Sequence, residues 1–355
     1  MTRGIKNVTS GDPRPAGPPK PGPTVGAGFA RGLLEFAVKS GADREALMAA
    51  AQLTPEEIGR QDGRVPMMKY VALMRGGIRL SGDPALALHY GEAVNIAQVS
   101  IVGHLGRGAG TMGEALDKLN QYVRLIVEAD SAPKEDRFSI VWEGDQRWLV
   151  DTRLNANAFP ELTESAFSQL ICHTREFGHE GSRPMVRAVH VTHERPGHWE
   201  EYERIWRAPV VFGAARNAML MDPEWEFYRV AKTDPYVAGV LHEKADALMA
   251  ELDAAKTMAG RVEAELRAML HTGDVAIDTV AKRMGMSRPT LYRQLKAEGT
   301  TFEDVLEALR HRMAEHYLSD RKLSVGETAY LVGFSDPSAF SRAFKRWTGK
   351  SPAKR

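Results

Sequence analysis

Near the C-terminal end of this 355-residue chain, two sets of side chains are suited to binding a polyanion. The first is Arg288, Pro289, Tyr292, Arg293 and Lys296. The second is Pro337, Ser338, Ser341, Arg342 and Lys345, with Arg346 and Lys350 close behind. Arg293 and Lys296 recur as Arg342 and Lys345, 49 positions on. Arginine presents a planar fork of N–H donors that fits the O6 and N7 acceptors of guanine, or a phosphate. Lysine is a compact charge suited to the phosphate backbone. The chemistry on offer is recognition of nucleic acid.

Such side chains must be held by elements of regular structure, and the sequence repeats those elements. Ala281 to Pro289 and Ala329 to Pro337 both read Ala-x-x-x-Gly-apolar-Ser-x-Pro, 48 positions apart. An apolar-x-Arg-x-apolar-Lys segment follows each, so one residue is inserted in the second copy. Ile277, Val280, Ala281 and Met284 recur at helical spacing and should face inward. Gly285 should end that helix, because glycine takes the left-handed conformation at low cost. Ser287 is expected to cap the next helix, with Pro289 in its first turn. The second copy repeats this with Gly333 at the turn and Ser335 as the expected cap. Leu291 and Leu295, then Phe340 and Phe344, should anchor the second helix of each copy. Between the copies, Phe302, Val305, Leu306, Leu309, Met313 and Tyr317 predict one amphipathic helix over Phe302–Ser319. Each copy is a helix-turn-helix, the unit whose second helix enters the major groove of DNA.

The run Gly333-Phe334-Ser335-Asp336-Pro337-Ser338-Ala339-Phe340-Ser341-Arg342-Ala343-Phe344-Lys345-Arg346-Trp347-Thr348-Gly349-Lys350-Ser351-Pro352 closely resembles the signature of AraC/XylS-type transcription regulators. The resemblance implies base reading by Pro289, Tyr292 and Arg293 in the first unit. In the second it implies Pro337, Ser338, Ser341 and Arg342. Proline at 289 and 337 departs from the pattern, offering apolar contact without a side-chain hydrogen bond. The sequence also ends at Arg355, where the family usually continues with an aromatic-Arg pair. By the same resemblance the partners are double-stranded promoter DNA, RNA polymerase, a small-molecule effector and a second copy of the chain. No cofactor is implied.

Charge is divided unevenly. Of the chain's 47 basic and 46 acidic residues, Gly260–Arg355 holds 17 and 12, leaving 30 and 34 before it. A basic end on an acidic body fits a nucleic-acid-binding module joined to another domain. A single cysteine, Cys172, excludes an intrachain disulfide and fits a reducing cytoplasm. There is no run of 18 apolar residues, so no membrane partner is expected, and the opening residues do not read as a signal peptide.

Taken in order, Met1 to about Thr24 is rich in proline and should be disordered. Gly28 to about Arg79 reads as packed helices. The glycine-rich Gly103 to Thr111 lacks both the Gly-x-Gly-x-x-Gly order and a Gly-Lys-Ser/Thr ending, so it reads as a tight helix-packing loop. Thr111 with Glu114 should cap a helix running to about Val127. Phe138 to Asn155 switches to period two around a Gly144-Asp145 turn, a hairpin. Phe159–Phe177 and Trp199–Trp206 read as helices. Met185–Thr192, Pro209–Phe212 and Asn217–Met221 read as strands. Pro235 to about His271 is mostly helical, a linker, a dimer contact, or both. The order of elements over Gly28–Trp225 also resembles the N-terminal sensor domain of the AraC-type branch named after arabinose binding.

No catalytic pattern emerges. His173, His179, His193 and His198 match no zinc spacing, there is no Gly-x-Ser-x-Gly elbow, and Glu161 and Glu164 read as solvated. For an effector, Trp142, Trp148 and Arg153 alternate near one sheet face, where an arginine beside aromatics would hold an acidic or aromatic ligand. The expected architecture is multidomain: a tail (1–24), an α+β sensing and dimerisation domain with a small, largely antiparallel sheet (25–230), a helical linker (231–272), and an all-α domain with two helix-turn-helix units joined by a long helix (273–355). The expected function is a non-enzymatic, DNA-binding activator under effector control. A ligand-independent regulator whose N-terminal domain only dimerises remains open, as does an enzyme with a DNA-binding tail.

Overall fold

The computed structural model describes residues 22–129, 136–175, 184–230, 234–319 and 323–352. The expectations for most of the proline-rich start and for His179 fall outside them. The chain divides into two compact units, one spanning Gly22–Ala250 and one containing Glu251–Arg355. Among the described residues, no helix is long and apolar enough to cross a membrane.

The first unit begins with helices, each started by local chemistry. A short strand, β1 (Thr24–Gly26), leads into α1 (Ala27–Lys39) and α2 (Arg44–Ala51), whose Asp43 cap accepts the Ala46 N–H. α3 (Pro55–Gly59) opens with a Thr54/Glu57 capping box and proline at its first position. β2 (Arg64–Pro66) pairs antiparallel with β1, and α4 (Met67–Ser81) and α5 (Leu86–Ala93) follow. Leu33, Leu34, Leu47, Tyr70, Leu73 and Tyr90 are buried together. A fully buried leucine contributes about 1.5–3 kcal/mol.

α6 (Ile96–Val99), α7 (Ile101–Arg107) and α8 (Met112–Ile126) lead to the main sheet. Its strands are β3 (Phe138–Glu143), β4 (Gln146–Asp151), β5 (Val186–His190), β6 (Val210–Val211) and β7 (Ala218–Met221), in the order β3-β4-β7-β5-β6. All pairings are antiparallel except β5 with β6. α9 (Pro160–Thr174) follows β4, and α10 (Trp199–Trp206) precedes β6. Phe138, Leu149, Val189 and Met219 share a core with Phe167 and Ile171 of α9 and Val123 of α8, which places these helices on one sheet face. α5 and α9 approach closely: a Cβ on Gly91 would lie 2.3 Å from the Ser165 carbonyl oxygen. The unit is α+β, as its sequence order predicts.

α11 (Pro235–Ala254) carries the chain from one unit to the other, with the division at Ala250 inside the helix. α12 (Met258–Met269) is a separate helix, started by Thr257, and Glu298 accepts hydrogen bonds from the Met258 and Ala259 N–H groups. α12 belongs to the C-terminal core: Val262 and Leu266 pack with Val280, Leu291, Leu309 and Phe340. The remaining helices are α13 (Ile277–Arg283), α14 (Arg288–Ala297), α15 (Phe302–Ser319), α16 (Val325–Leu331) and α17 (Pro337–Thr348).

Candidate nucleic-acid interface and interior cavity

Each half of the C-terminal unit is a helix, a glycine turn and a second helix. Gly285 (φ +68°) follows α13 and Gly333 (φ +77°) follows α16, both in the left-handed region. α14 starts as the sequence predicts, with the Ser287 hydroxyl accepting the Thr290 N–H. In the second copy the expected cap, Ser335, is displaced by Asp336, which accepts the Ser338 and Ala339 N–H groups at 2.9 and 3.0 Å. The carboxylate takes two orphan donors where a hydroxyl would take one, and Pro337 then falls at its preferred first position. Those two donated hydrogen bonds hold the Asp336 carboxyl below its usual range, and the Arg342 charge adds to the effect.

Leu291 and Leu295 bury one side of α14, and Phe340 and Phe344 bury one side of α17. Arg288, Pro289, Tyr292, Arg293 and Lys296 are consequently exposed, as are Ser338, Arg342, Lys345, Arg346 and Lys350. Pro337 and Ser341 are half-buried, and the Ser341 hydroxyl donates to the Pro337 carbonyl at 2.9 Å. Two of the cations are already paired: Arg288 with Asp278 at 3.1 Å and Arg346 with Glu307 at 2.6 Å. These exposed pairs are weak enough for a phosphate to replace the carboxylate. Arg293, Lys296, Arg342, Lys345 and Lys350 have no carboxylate within ion-pair distance among the described residues.

α15 braces the second turn. Arg310 donates to the Val332 and Gly333 carbonyls at 3.1 and 3.0 Å and lies 4.6 Å over the Phe334 ring. Glu307 accepts from Trp347 Nε1 at 2.5 Å as well as from Arg346. Sequence reading missed both bracing residues. Their positions on a face of α15 otherwise read as solvated were the available signal.

In the first unit, the expected effector trio does not come together. Trp142 pairs with Arg147 across the hairpin and Trp148 pairs with Val141. Adjacent pairs point to opposite faces of a sheet, so the two tryptophans are on different faces. Trp142 is exposed over the Arg147 guanidinium, whereas Trp148 is buried against His190. Arg153 lies beyond the strand and donates to the Ala156 and Phe159 carbonyls and the Thr163 hydroxyl, tying the loop to α9. Its burial lowers its pKa to about 10. Glu164 is also unlike its sequence reading: it is buried, accepts from Tyr202 at 2.8 Å, and burial pushes its carboxyl up to about 7.

A cavity of about 140 Å³ lies elsewhere in this unit, between α7, α8, α9 and the inner sheet face. Its lining is mostly apolar, including Leu116, Leu119, Leu149, Val186, Met219 and Met221. Gly103 and Gly106 also line it, from the glycine-rich segment. The first part of that segment, 103–107, belongs to α7, which packs against its neighbour: a Cβ on Gly103 would lie 2.3 Å from the Ala97 nitrogen.

Comparison with known proteins is consistent with both units. Residues 41–226 match the family model described as the arabinose-binding domain of AraC transcription regulator, N-terminal, which covers more than half of the chain. The chain belongs to the AraC family of transcription regulators. Residues 280–354 match a helix-turn-helix domain. The chain is 26% identical to the Ornithine utilization regulator of Pseudomonas aeruginosa over 344 residues, which are 93% of this chain and 95% of that one. It is 37% identical to the transcriptional activator NphR of Rhodococcus sp over 92 residues, 26% of this chain and 28% of that one. It is 41% identical to the transcriptional activator RhaS of Escherichia coli over 80 residues, 22% and 29% of the two chains. As an AraC-family member the protein is a DNA-binding transcription regulator and not an enzyme.

Proposed function

We propose that this regulator activates transcription by reading two successive major-groove segments, one with α14 and one with α17, under control of a small molecule held in the N-terminal unit. The observation that carries the reading is the repeated outward set: Tyr292, Arg293 and Lys296 on α14, and Ser338, Arg342 and Lys345 on α17. Arg293 and Arg342 donate to guanine or phosphate. Lys296, Lys345, Arg346 and Lys350 neutralise the backbone, and Pro289, Pro337 and Ser341 make close contacts at the helix starts. The 18 residues of α15 span about 27 Å, compatible with readers one turn of DNA, roughly 34 Å, apart. Activation is favoured by the names of the activators NphR and RhaS. The protein works in the cytoplasm as a homodimer that contacts RNA polymerase, with sensing within residues 25–230 and DNA reading within 273–355. The cavity, rather than Trp142, Trp148 and Arg153, is the place for the effector.

Selection of genomic fragments on the full-length protein, followed by sequencing, tests the reading. The expected product is a set of asymmetric sites with two short conserved blocks about one helical turn apart. Sites with one block only would remove one of the two readers. Enrichment that requires cell extract would mark ligand control.

A further inference from the structure

α14 ends in a turn that fixes the residue after it. Gly299 takes the left-handed conformation (φ +74°), its N–H donates to the Lys296 carbonyl, and the Thr300 N–H donates to the Leu295 carbonyl, both at 3.1 Å. Glu298 is thereby held one position past α14. A carboxylate there faces the partial negative charge of its own helix end, an unfavourable place. Its two oxygens meet the start of α12 instead: Oε1 accepts the Met258 N–H at 2.6 Å and Oε2 accepts the Ala259 N–H at 2.9 Å. The Thr257 hydroxyl accepts the Gly260 N–H at 2.9 Å, so the first three N–H groups of α12 are all matched, two of them by a residue of the first reading helix. On its other side the start of α12 is pressed against the end of α11. A Cβ on Gly260 would lie 1.9 Å from the Ala254 carbonyl oxygen, which also accepts the Thr257 hydroxyl at 2.7 Å. Ala254–Gly260 is therefore a tight elbow that ends on a carboxylate carried by α14. α12 also pairs through Glu263 with Arg312 of α15 at 2.5 Å, and through Glu265 with Arg283 of α13 at 2.7 Å, but these ion pairs reach solvent and are weak. The apolar core is shared by both copies and favours neither reader. α17 takes its polar braces from α15, through Arg310 and Glu307.

We infer that Glu298 is a positioning residue for the first reader: through it the linker acts on α14, and so on Tyr292, Arg293 and Lys296, while α17 is left to α15. This rests on the proposal that α14 and α17 each read DNA. It assigns control of binding to one half of the site. A displacement at Ala254–Gly260 changes how the block under α14 is gripped and leaves the contacts of α17 as they are.

The test is hydrogen–deuterium exchange of the full-length protein and its variants, followed by titration on the genomic site that the full-length protein selects. Glu298→Ala should speed exchange about threefold or more at 258–260 and along α14, the scale of a lost helix cap, with α17 unchanged. Gly260→Ala, which forces the Ala254 carbonyl out of place without touching Glu298, should give the same pattern. If Gly260→Ala does not fold, Glu298→Ala and Glu298→Gln decide, and the glutamine, with one acceptor oxygen left, should fall between wild type and alanine. On DNA, Glu298→Ala should weaken binding about threefold or more. That loss should vanish when Arg293→Ala is already present and persist beside Arg342→Ala, because only groups acting as one unit are non-additive. Unchanged exchange in α14, equal acceleration in α14 and α17, or a loss on DNA that adds to that of Arg293→Ala would each overturn the inference. So would full affinity in Glu298→Ala where Arg293→Ala does weaken binding. Faster exchange confined to the start of α12 and to α14, with no loss on DNA from Arg293→Ala itself, would support the tie between linker and helix and break only the reading of α14 as a base reader.

Discussion

The two helix-turn-helix units share a sequence pattern and differ in how their reading helices begin and are held. α14 starts on a neutral serine, is anchored by two leucines, and leaves its preceding turn at Gly285 exposed. α17 starts on an aspartate, is anchored by two phenylalanines, and follows a turn held through Arg310. A helix N-terminus carries partial positive charge that attracts phosphate. In α14 that charge remains available, whereas in α17 Asp336 already neutralises it. The first reader is therefore equipped to use its helix end on the DNA backbone. On the proposed reading the second would rely on the side chains of Arg342, Lys345 and Lys350.

The largest expected difference is in stability. Phe344→Ala should cost about 3–5 kcal/mol in the unfolding transition of the C-terminal unit, and Leu295→Ala about 2–5 kcal/mol. Urea denaturation of the full chain followed by tryptophan fluorescence reports on the second copy through Trp347. Equal, small losses would show that neither helix depends on its anchors. Next in size are the base contacts. Arg293→Ala and Arg342→Ala should each cost about 1–3 kcal/mol of specific binding, measured by titration on the selected site. If neither changes affinity, the double-reader model fails; if only one does, the units are unequal partners. The smallest effects concern salt. Lys345→Ala should weaken all sequences alike and flatten the dependence of log K on log salt by about one unit. Asp336→Asn should steepen the same slope, while Ser287→Asp should flatten it by placing a carboxylate at the start of α14. The opposite signs would reverse the assignment of helix ends to backbone.

Most of the C-terminal unit was legible because its signals are local and occur twice. Glycine at the turn, serine and proline at the next helix start, and apolar residues at helical spacing each act within about a dozen positions. Ser335 was misread because a hydroxyl and a carboxylate stood side by side, and the stronger acceptor took the cap. In the N-terminal unit the elements were legible and the site was not. The two-residue turn at Gly144-Asp145 places Glu143 opposite Gln146, so Trp142 faces Arg147 and cannot share a face with Trp148. Counting outward from that turn would have separated the tryptophans. The cavity leaves no such trace, because its wall is assembled from α7, α8, α9, the sheet and Trp225, segments far apart in sequence.

Asp336 also bears on how the protein searches DNA. Away from its target, a regulator is held by phosphate contacts alone and slides or hops along the duplex. If α17 reads bases as proposed, a carboxylate at its leading end would weaken that grip wherever Arg342 and its neighbours find no matching bases. On the proposed reading the second reader would let go first when the register is wrong, and the protein would resume its search sooner. Asp336→Asn should appear in single-molecule tracking as slower diffusion and longer dwell on non-target DNA; unchanged dwell times would deny the aspartate this part in the search.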